Sequence, residues 1–327
     1  MSATEEVIIG QDNLIKYFNK LAFLSDHQSI GGSFILQGPR GSGKKTLANF
    51  LIGKLLCQDK SNLRPCGQCP ACLQLKNKVN GDVFWLSLDD DKKNISIDEV
   101  RILIRSLSLS SLTQGYKVAV IDRAEKLSHQ ASNALLKTLE EPNKKTIIVL
   151  LTTSLADLPK TIISRSQTFS LRPLAPNLVY DFLVSRGYKR SQAKNLSALS
   201  LGWPGLAIKL SEDEALADHL LVVEAFLKSL NADQLQRRVI LDELLSRDFE
   251  AEEVLSIWQT VSRDLLLFKL ARSEWQRYVG FLNQFQDKLN FSIKQALTWQ
   301  KSIVQGKDYL AANVNQKLVL ENIIFNL

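Results

Sequence analysis

The stretch Gly38-Pro39-Arg40-Gly41-Ser42-Gly43-Lys44-Lys45-Thr46 limits what this chain can fold into more than any other. It follows an apolar run at residues 33–37 and precedes a helical stretch at 47–56, the setting in which a glycine pattern of this kind binds phosphate. Gly38, Gly41 and Gly43 let backbone N–H groups turn inward as an anion-binding nest. The helix start adds partial positive charge, and Lys44 is spaced to reach the β- and γ-phosphates of a nucleotide. Further apolar runs at 118–121 and 147–151 alternate with amphipathic stretches, which predicts a parallel α/β sheet.

After Pro173 the strand-like runs stop and helical periodicity takes over, with Val254, Trp258, Val261 and Leu265 on one face. A stripe of this kind is ordinarily core, so only residues left exposed beside it argue for contacts between subunits. The expected architecture is an α/β P-loop domain with a parallel sheet at 1–173, a small helical domain at 174–210 with a turn at 202–205, and an all-α domain at 211–327.

The chemistry around the loop departs from that of a working ATPase. The position after Lys44 normally carries a Ser or Thr whose hydroxyl ligates Mg²⁺. Here it is Lys45, and Thr46 comes one place late. The second strand ends in Asp122, where a Mg²⁺-organising aspartate belongs, but the residue after it is Arg123 rather than a glutamate. A guanidinium cannot accept the proton of an attacking water. Glu125, two residues on, would share Arg123's side if the chain stayed extended. The expectation is a nucleotide site made of Gly38, Gly41, Gly43, Lys44, Lys45, Thr46 and Asp122 that is vestigial, with ATP or ADP and Mg²⁺ weakly supported and no intrinsic hydrolysis. The alternative is a self-sufficient ATPase in which Glu125 replaces the base and Thr46 rescues the metal.

All four cysteines fall in one stretch: Cys57, then Cys66, Cys69 and Cys72 with two residues between each and the next. Four sulfurs at this spacing, in a chain without an export signal, predict a closed, structural Zn²⁺ site within 57–72. The net charge of +7 favours polyanions, and with no recognition helix the economical contact is to phosphate backbones rather than base edges. No apolar run approaches the roughly 20 residues of a membrane span, so a cytoplasmic protein with no membrane partner is expected.

A cysteine knuckle directly after the loop helix, together with Asn133-Ala134-Leu135-Leu136-Lys137-Thr138-Leu139-Glu140-Glu141-Pro142, resembles the bacterial clamp-loader AAA+ family. Val7-Ile8-Ile9-Gly10-Gln11 looks like that family's N-terminal element, and Ile162-Ile163-Ser164-Arg165-Ser166-Gln167 like its Ser-Arg-Cys segment, with Ser166 where cysteine is usual. Asp122-Arg123-Ala124-Glu125 matches the delta-prime branch, as does the arginine-free turn Gly202-Trp203-Pro204-Gly205-Leu206. Asn313-Val314-Asn315-Gln316-Lys317-Leu318-Val319-Leu320-Glu321 is similar to the family's collar ending.

The resemblance implies an AAA+ domain, a helical lid and a collar. It also implies a hetero-pentamer with gamma/tau and delta subunits that opens a sliding clamp and loads it on primer–template DNA. The arginine of the Ser-Arg segment, here Arg165, is then a finger reaching a neighbour's γ-phosphate. A zinc-bearing P-loop regulator of DNA repair or recombination is the remaining alternative, separable by whether the chain co-purifies with sliding-clamp machinery.

Overall fold

The computed structural model describes residues 8–27, 31–59, 64–89, 92–111, 115–247, 249–272, 276–278, 282–283, 285, 289–312 and 314–327. Val7 and Asn313, quoted in the motifs above, lie outside them. The chain forms two compact units, residues 1–178 with 203–205, and residues 179–202 with 206–327.

The first unit is built on five strands, β1 (Gly32–Gln37), β2 (Val83–Leu86), β3 (Lys117–Ile121), β4 (Thr146–Thr152) and β5 (Gln167–Ser170), in the order β2-β3-β4-β1-β5. Every pairing is parallel. The predicted runs at 33–37, 118–121 and 147–151 fall on β1, β3 and β4, where both faces of the sheet are covered and apolar residues succeed one another without alternation. On one face Phe34, Leu36, Val118, Val120 and Val149 pack with Phe18 of α1 (Asp12–His27) and Leu47 and Leu51 of α2 (Lys44–Leu56). On the other, Ile35, Ala119, Ile121 and Ile148 meet Val100 and Leu103 of the next amphipathic helix and Leu135 of the one after.

Between α2 and these lies the short α3 (Pro70–Lys76), opened by proline at its first position. The amphipathic helix is α4 (Ile97–Ser108), started by a capping box in which Ser96 and Glu99 satisfy each other's backbone N–H. Next, α5 (His129–Glu140) is capped by Ser128, whose hydroxyl accepts from Ala131 N. The one-turn α6 (Lys160–Ile163) leads into β5. Each fully buried side chain of this kind contributes about 1.5–3 kcal/mol, so the sheet sandwich, rather than any polar contact, holds the loop between β1 and α2 in place.

After Ser170 there is no further strand among the described residues. The helices are α7 (Pro176–Ser185), α8 (Arg190–Leu199), α9 (Pro204–Lys209), α10 (Asp213–Ser229), α11 (Gln234–Leu245), α12 (Ala251–Lys269), α13 (Ile293–Ala311) and α14 (Gln316–Phe325). Val254, Trp258, Val261 and Leu265 of α12 are all buried in the second unit's core, and Trp258 Nε1 donates to Val222 O at 3.0 Å. At Gly306 a Cβ would lie 2.7 Å from Ile323 Cδ1 and 3.2 Å from Leu255 Cδ1, so the absent side chain is what lets α13 approach α14 and α12.

Candidate functional site

The phosphate loop leaves β1 at Gln37 and enters α2 at Lys44, with Gly41 at φ 73° and Gly43 at φ 92°, left-handed values that favour glycine. Its first residue is tied to the neighbouring strand, Gly38 N donating to Thr152 O at 3.1 Å. The loop therefore sits over the C-terminal ends of β1 and β4, where parallel sheets bind ligands. Lys44 is folded back on the loop, its ammonium donating to Gly38 O and to Pro39 O at 2.9 Å. Burial lowers Lys44 to about 8, against the pull of Glu125 and Asp122.

Lys45 and Asp122 meet. Lys45 Nζ lies 2.8 Å from Asp122 Oδ2, and the aspartate side chain is only 14% exposed. Arg123 adopts a left-handed conformation (φ 53°) and starts a 3₁₀ turn at Ala124–Lys126. The chain thus turns at once after β3, so the extended-chain argument for Glu125 does not apply. Glu125 instead accepts from Thr153 Oγ1 at 3.3 Å and acts on Lys44, while its other carboxylate oxygen is buried without a hydrogen-bond partner. Sequence reasoning missed Thr153; the signal available was its position one residue past β4.

Gly205, part of the arginine-free turn, packs on the loop. Its N–H donates to Gly41 O at 3.0 Å, and a Cβ there would stand 2.8 Å from that oxygen. At the other end of the unit's chain, Gln11 clamps Arg172, its side-chain amide donating to the backbone carbonyl at 2.6 Å and accepting from the N–H at 3.3 Å. Both Gly10 and Gln11 have positive φ, which explains why this short N-terminal element needs a glycine.

Arg165 lies on a surface turn between α6 and β5. Ser33 Oγ of β1 donates to its carbonyl at 2.6 Å, which fixes the backbone of the turn. The guanidinium, one third exposed, pairs with Glu140 at the end of α5 and donates to Thr161 O at 3.0 Å. Ser166 Oγ is buried with no hydrogen-bond partner, a setting better suited to a sulfur than to a hydroxyl.

Cys57 follows α2, Cys66 and Cys69 lie in the connecting turn, and Cys72 sits in α3. Their four sulfurs lie within 4.8 Å of one another, and Cys57 and Cys69 are 4.0 Å apart. A tetrahedral Zn²⁺ with bonds near 2.3 Å needs sulfurs about 3.8 Å apart, so the cluster fits with a small contraction. Burial pushes the Cys57 and Cys72 thiols up; it opposes ionisation at Cys69 too, but backbone N–H groups of Gln58 and Cys72 bring Cys69 down to about 6.

A parallel sheet with a glycine loop entering the helix after an inner strand, and an aspartate at the tip of a nearby strand, defines a P-loop protein. Residues 10–175, about half the chain, match the family described as "DNA polymerase III, delta subunit", and the chain belongs to that clamp-loader family. The DNA polymerase III subunit delta' of Bacillus subtilis (strain 168) is 25% identical over 91% of each chain. That of Pseudomonas aeruginosa is 30% identical over 72% of this chain and 67% of the relative. The subunit gamma of Buchnera aphidicola (subsp. Acyrthosiphon pisum) is 35% identical over 54% of this chain.

The chain spans about half the length of the gamma and tau relatives it matches, 47% and 50%. A solved gamma-subunit-related protein of Thermotoga maritima is 22% identical and aligns over 94% of this chain and 97% of its own at a TM-score of 0.41. Among the described residues no helix is long and apolar enough to cross a membrane.

Proposed function

We propose that this chain works as a delta-prime-like subunit of a DNA polymerase III clamp loader, lending Arg165 to the ATP site of a neighbouring gamma/tau subunit while its own loop does not hydrolyse ATP. The observation that carries the reading is the Lys45–Asp122 ion pair. It engages the carboxylate that a Mg²⁺ ion would need, and the residue that follows is Arg123, which cannot serve as a base.

Arg165 supports the other half. A guanidinium offered to a neighbour's γ-phosphoryl group adds positive charge where negative charge builds, and such fingers are worth about 10³–10⁵ in rate. Its present partner, Glu140, is 47% exposed, and pairs of this kind contribute about 0–1 kcal/mol. Arg165 can exchange that carboxylate for a more highly charged phosphate at little cost.

The partners in this reading are the gamma/tau and delta subunits of a hetero-pentamer, the sliding clamp, and primer–template DNA reached through the complex, all in the cytoplasm. Residues 1–173 act as the AAA+ domain, α7 to α9 within 174–210 as the lid, and the helices of 211–327 as the collar. Because the stripe on α12 is buried, collar contacts fall to residues such as Leu235 and Val239 of α11, which are 81% and 67% exposed. Zn²⁺ held by Cys57, Cys66, Cys69 and Cys72 would tie the end of α2 to α3, a structural role.

Glu125, close enough to act on Lys44, favours a second reading, a hydrolysing gamma/tau-like ATPase. Steady-state ATP turnover by the isolated chain separates the two: the proposal predicts background, and the alternative predicts turnover lost on Glu125→Gln. In a reconstituted complex, Arg165→Ala is expected to lower turnover with assembly intact, and unchanged turnover would sink the finger.

A further inference from the structure

A divalent cation at a phosphate loop needs a hydroxyl from the residue after the loop lysine and a free carboxylate at the strand tip. This chain offers neither. The residue is Lys45, and its ammonium already holds Asp122 at 2.8 Å. The side chains present do not fit Mg²⁺. They do supply a cation of their own, fixed by covalent bonds at the edge of the loop, and Lys45 remains 62% exposed toward any incoming ligand.

Asp122, Glu125, Arg40 and Lys45 all lie near enough to act on Lys44. A metal ion would be repelled by Lys44 and Lys45, whereas a polyphosphate anion would be attracted to both. Ser42 gives an independent sign of a ligand. It is 6% exposed, and its Oγ has no hydrogen-bond partner. A Cβ on Gly38 would lie 2.7 Å from that oxygen, so the hydroxyl is turned into the loop rather than toward bulk water. A buried hydroxyl without a partner is unfavourable, and a phosphate oxygen would accept its hydrogen bond.

We propose that the loop is a metal-free diphosphate site, taking the polyphosphate group of a nucleotide without Mg²⁺, with Lys45 as a tethered cation in the metal's place. The proposal rests on the reading of this loop as non-hydrolysing and specifies what it retains. Binding without a positioned metal or base gives occupancy but no turnover.

The test is calorimetric titration of the purified chain with ADP and with inorganic pyrophosphate, each in EDTA and in excess Mg²⁺. The expected result is ADP binding in EDTA that excess Mg²⁺ leaves unchanged or weakens. Pyrophosphate binding of similar strength would assign the affinity to the diphosphate, and binding of ADP alone would assign it to the whole nucleotide; both support a metal-free site. Lys45→Thr restores the hydroxyl and frees Asp122, and should make binding at least about tenfold tighter with Mg²⁺ than without. Circular dichroism melts establish that the variant is folded.

Tenfold tightening by Mg²⁺ in the unaltered chain would overturn the proposal, as would failure of both ligands to bind in EDTA. A folded Lys45→Thr variant without Mg²⁺ dependence would remove Lys45 from the role. None of these results touches Arg165, which is read out by turnover of the complex. ATP turnover by the isolated chain would instead fall on the non-hydrolysing reading itself.

Discussion

At the phosphate loop, Lys45 meets Asp122 with the carboxylate side chain 14% exposed; at the turn after α6, Arg165 meets Glu140, whose side chain is 47% exposed. Both are a cation beside a carboxylate, but their surroundings differ. Asp122 is shielded at the tip of a strand buried on both faces, where an unpaired charge would be costly, so its partner is committed. Glu140 is solvated, screening makes its pair weak, and Arg165 is available to a third party. In the proposed reading the two ion pairs thus do opposite things: one closes a metal position and the other holds a catalytic group in reserve.

The contrast can be broken in several ways. The largest effect should come from the cysteine knuckle that hangs from the far end of the loop's helix. Removing Zn²⁺ by chelation, or replacing Cys72 with Ser, should lower the stability of the loop-bearing unit by several kcal/mol, read as a drop in its melting temperature with loss of bound zinc. Freshly purified protein without zinc would contradict this.

Next comes pH. Lys44 sits at about 8, below the ordinary lysine value, so pyrophosphate affinity should fall as pH rises past 8, by up to about tenfold per unit. A lysine of ordinary pKa would hold its affinity to about 10.5. The unfolded chain keeps this proton over the same window, so Lys44 makes the fold gain stability between about pH 8 and 10.5. A flat binding profile to pH 10 would mean that Lys44 is not buried as described.

The smallest effect is the most diagnostic for the contrast. Glu140→Gln should change stability by no more than about 1 kcal/mol, measured by denaturant unfolding. A cost of 3 kcal/mol or more would show Arg165 committed to Glu140, and the distinction between the two pairs would collapse.

The inner strands could be read from sequence because β1, β3 and β4 are continuous apolar runs buried on both faces. The edge strands β2 and β5 could not, being four residues long and partly exposed, with Trp85 at 41% and polar Gln167 and Ser170 at the ends of β5. At the site, motif position identified Asp122 as the expected strand-tip carboxylate and Lys45 and Arg123 as departures from a working ATPase. Only the fold brings Lys45 onto Asp122, 77 positions along the chain, or Glu140 onto Arg165, because such pairings depend on sheet order rather than on local pattern. The cysteines were legible because their spacing encodes the geometry directly. The 3₁₀ turn after Asp122 was not, since nothing in Arg123-Ala124-Glu125 calls for a left-handed residue.

The central claim is that this chain provides a catalytic charge to a site it does not own. Its most direct measurement is steady-state ATP turnover of the reconstituted complex containing either the native chain or Arg165→Ala, with the isolated chain run alongside. The account predicts background turnover for the isolated chain and full turnover for the native complex. With Arg165→Ala it predicts a loss of about 10³-fold or more at the one site the arginine completes, with subunit composition unchanged. Turnover by the isolated chain, or an Arg165→Ala complex as active as the native one, would contradict it.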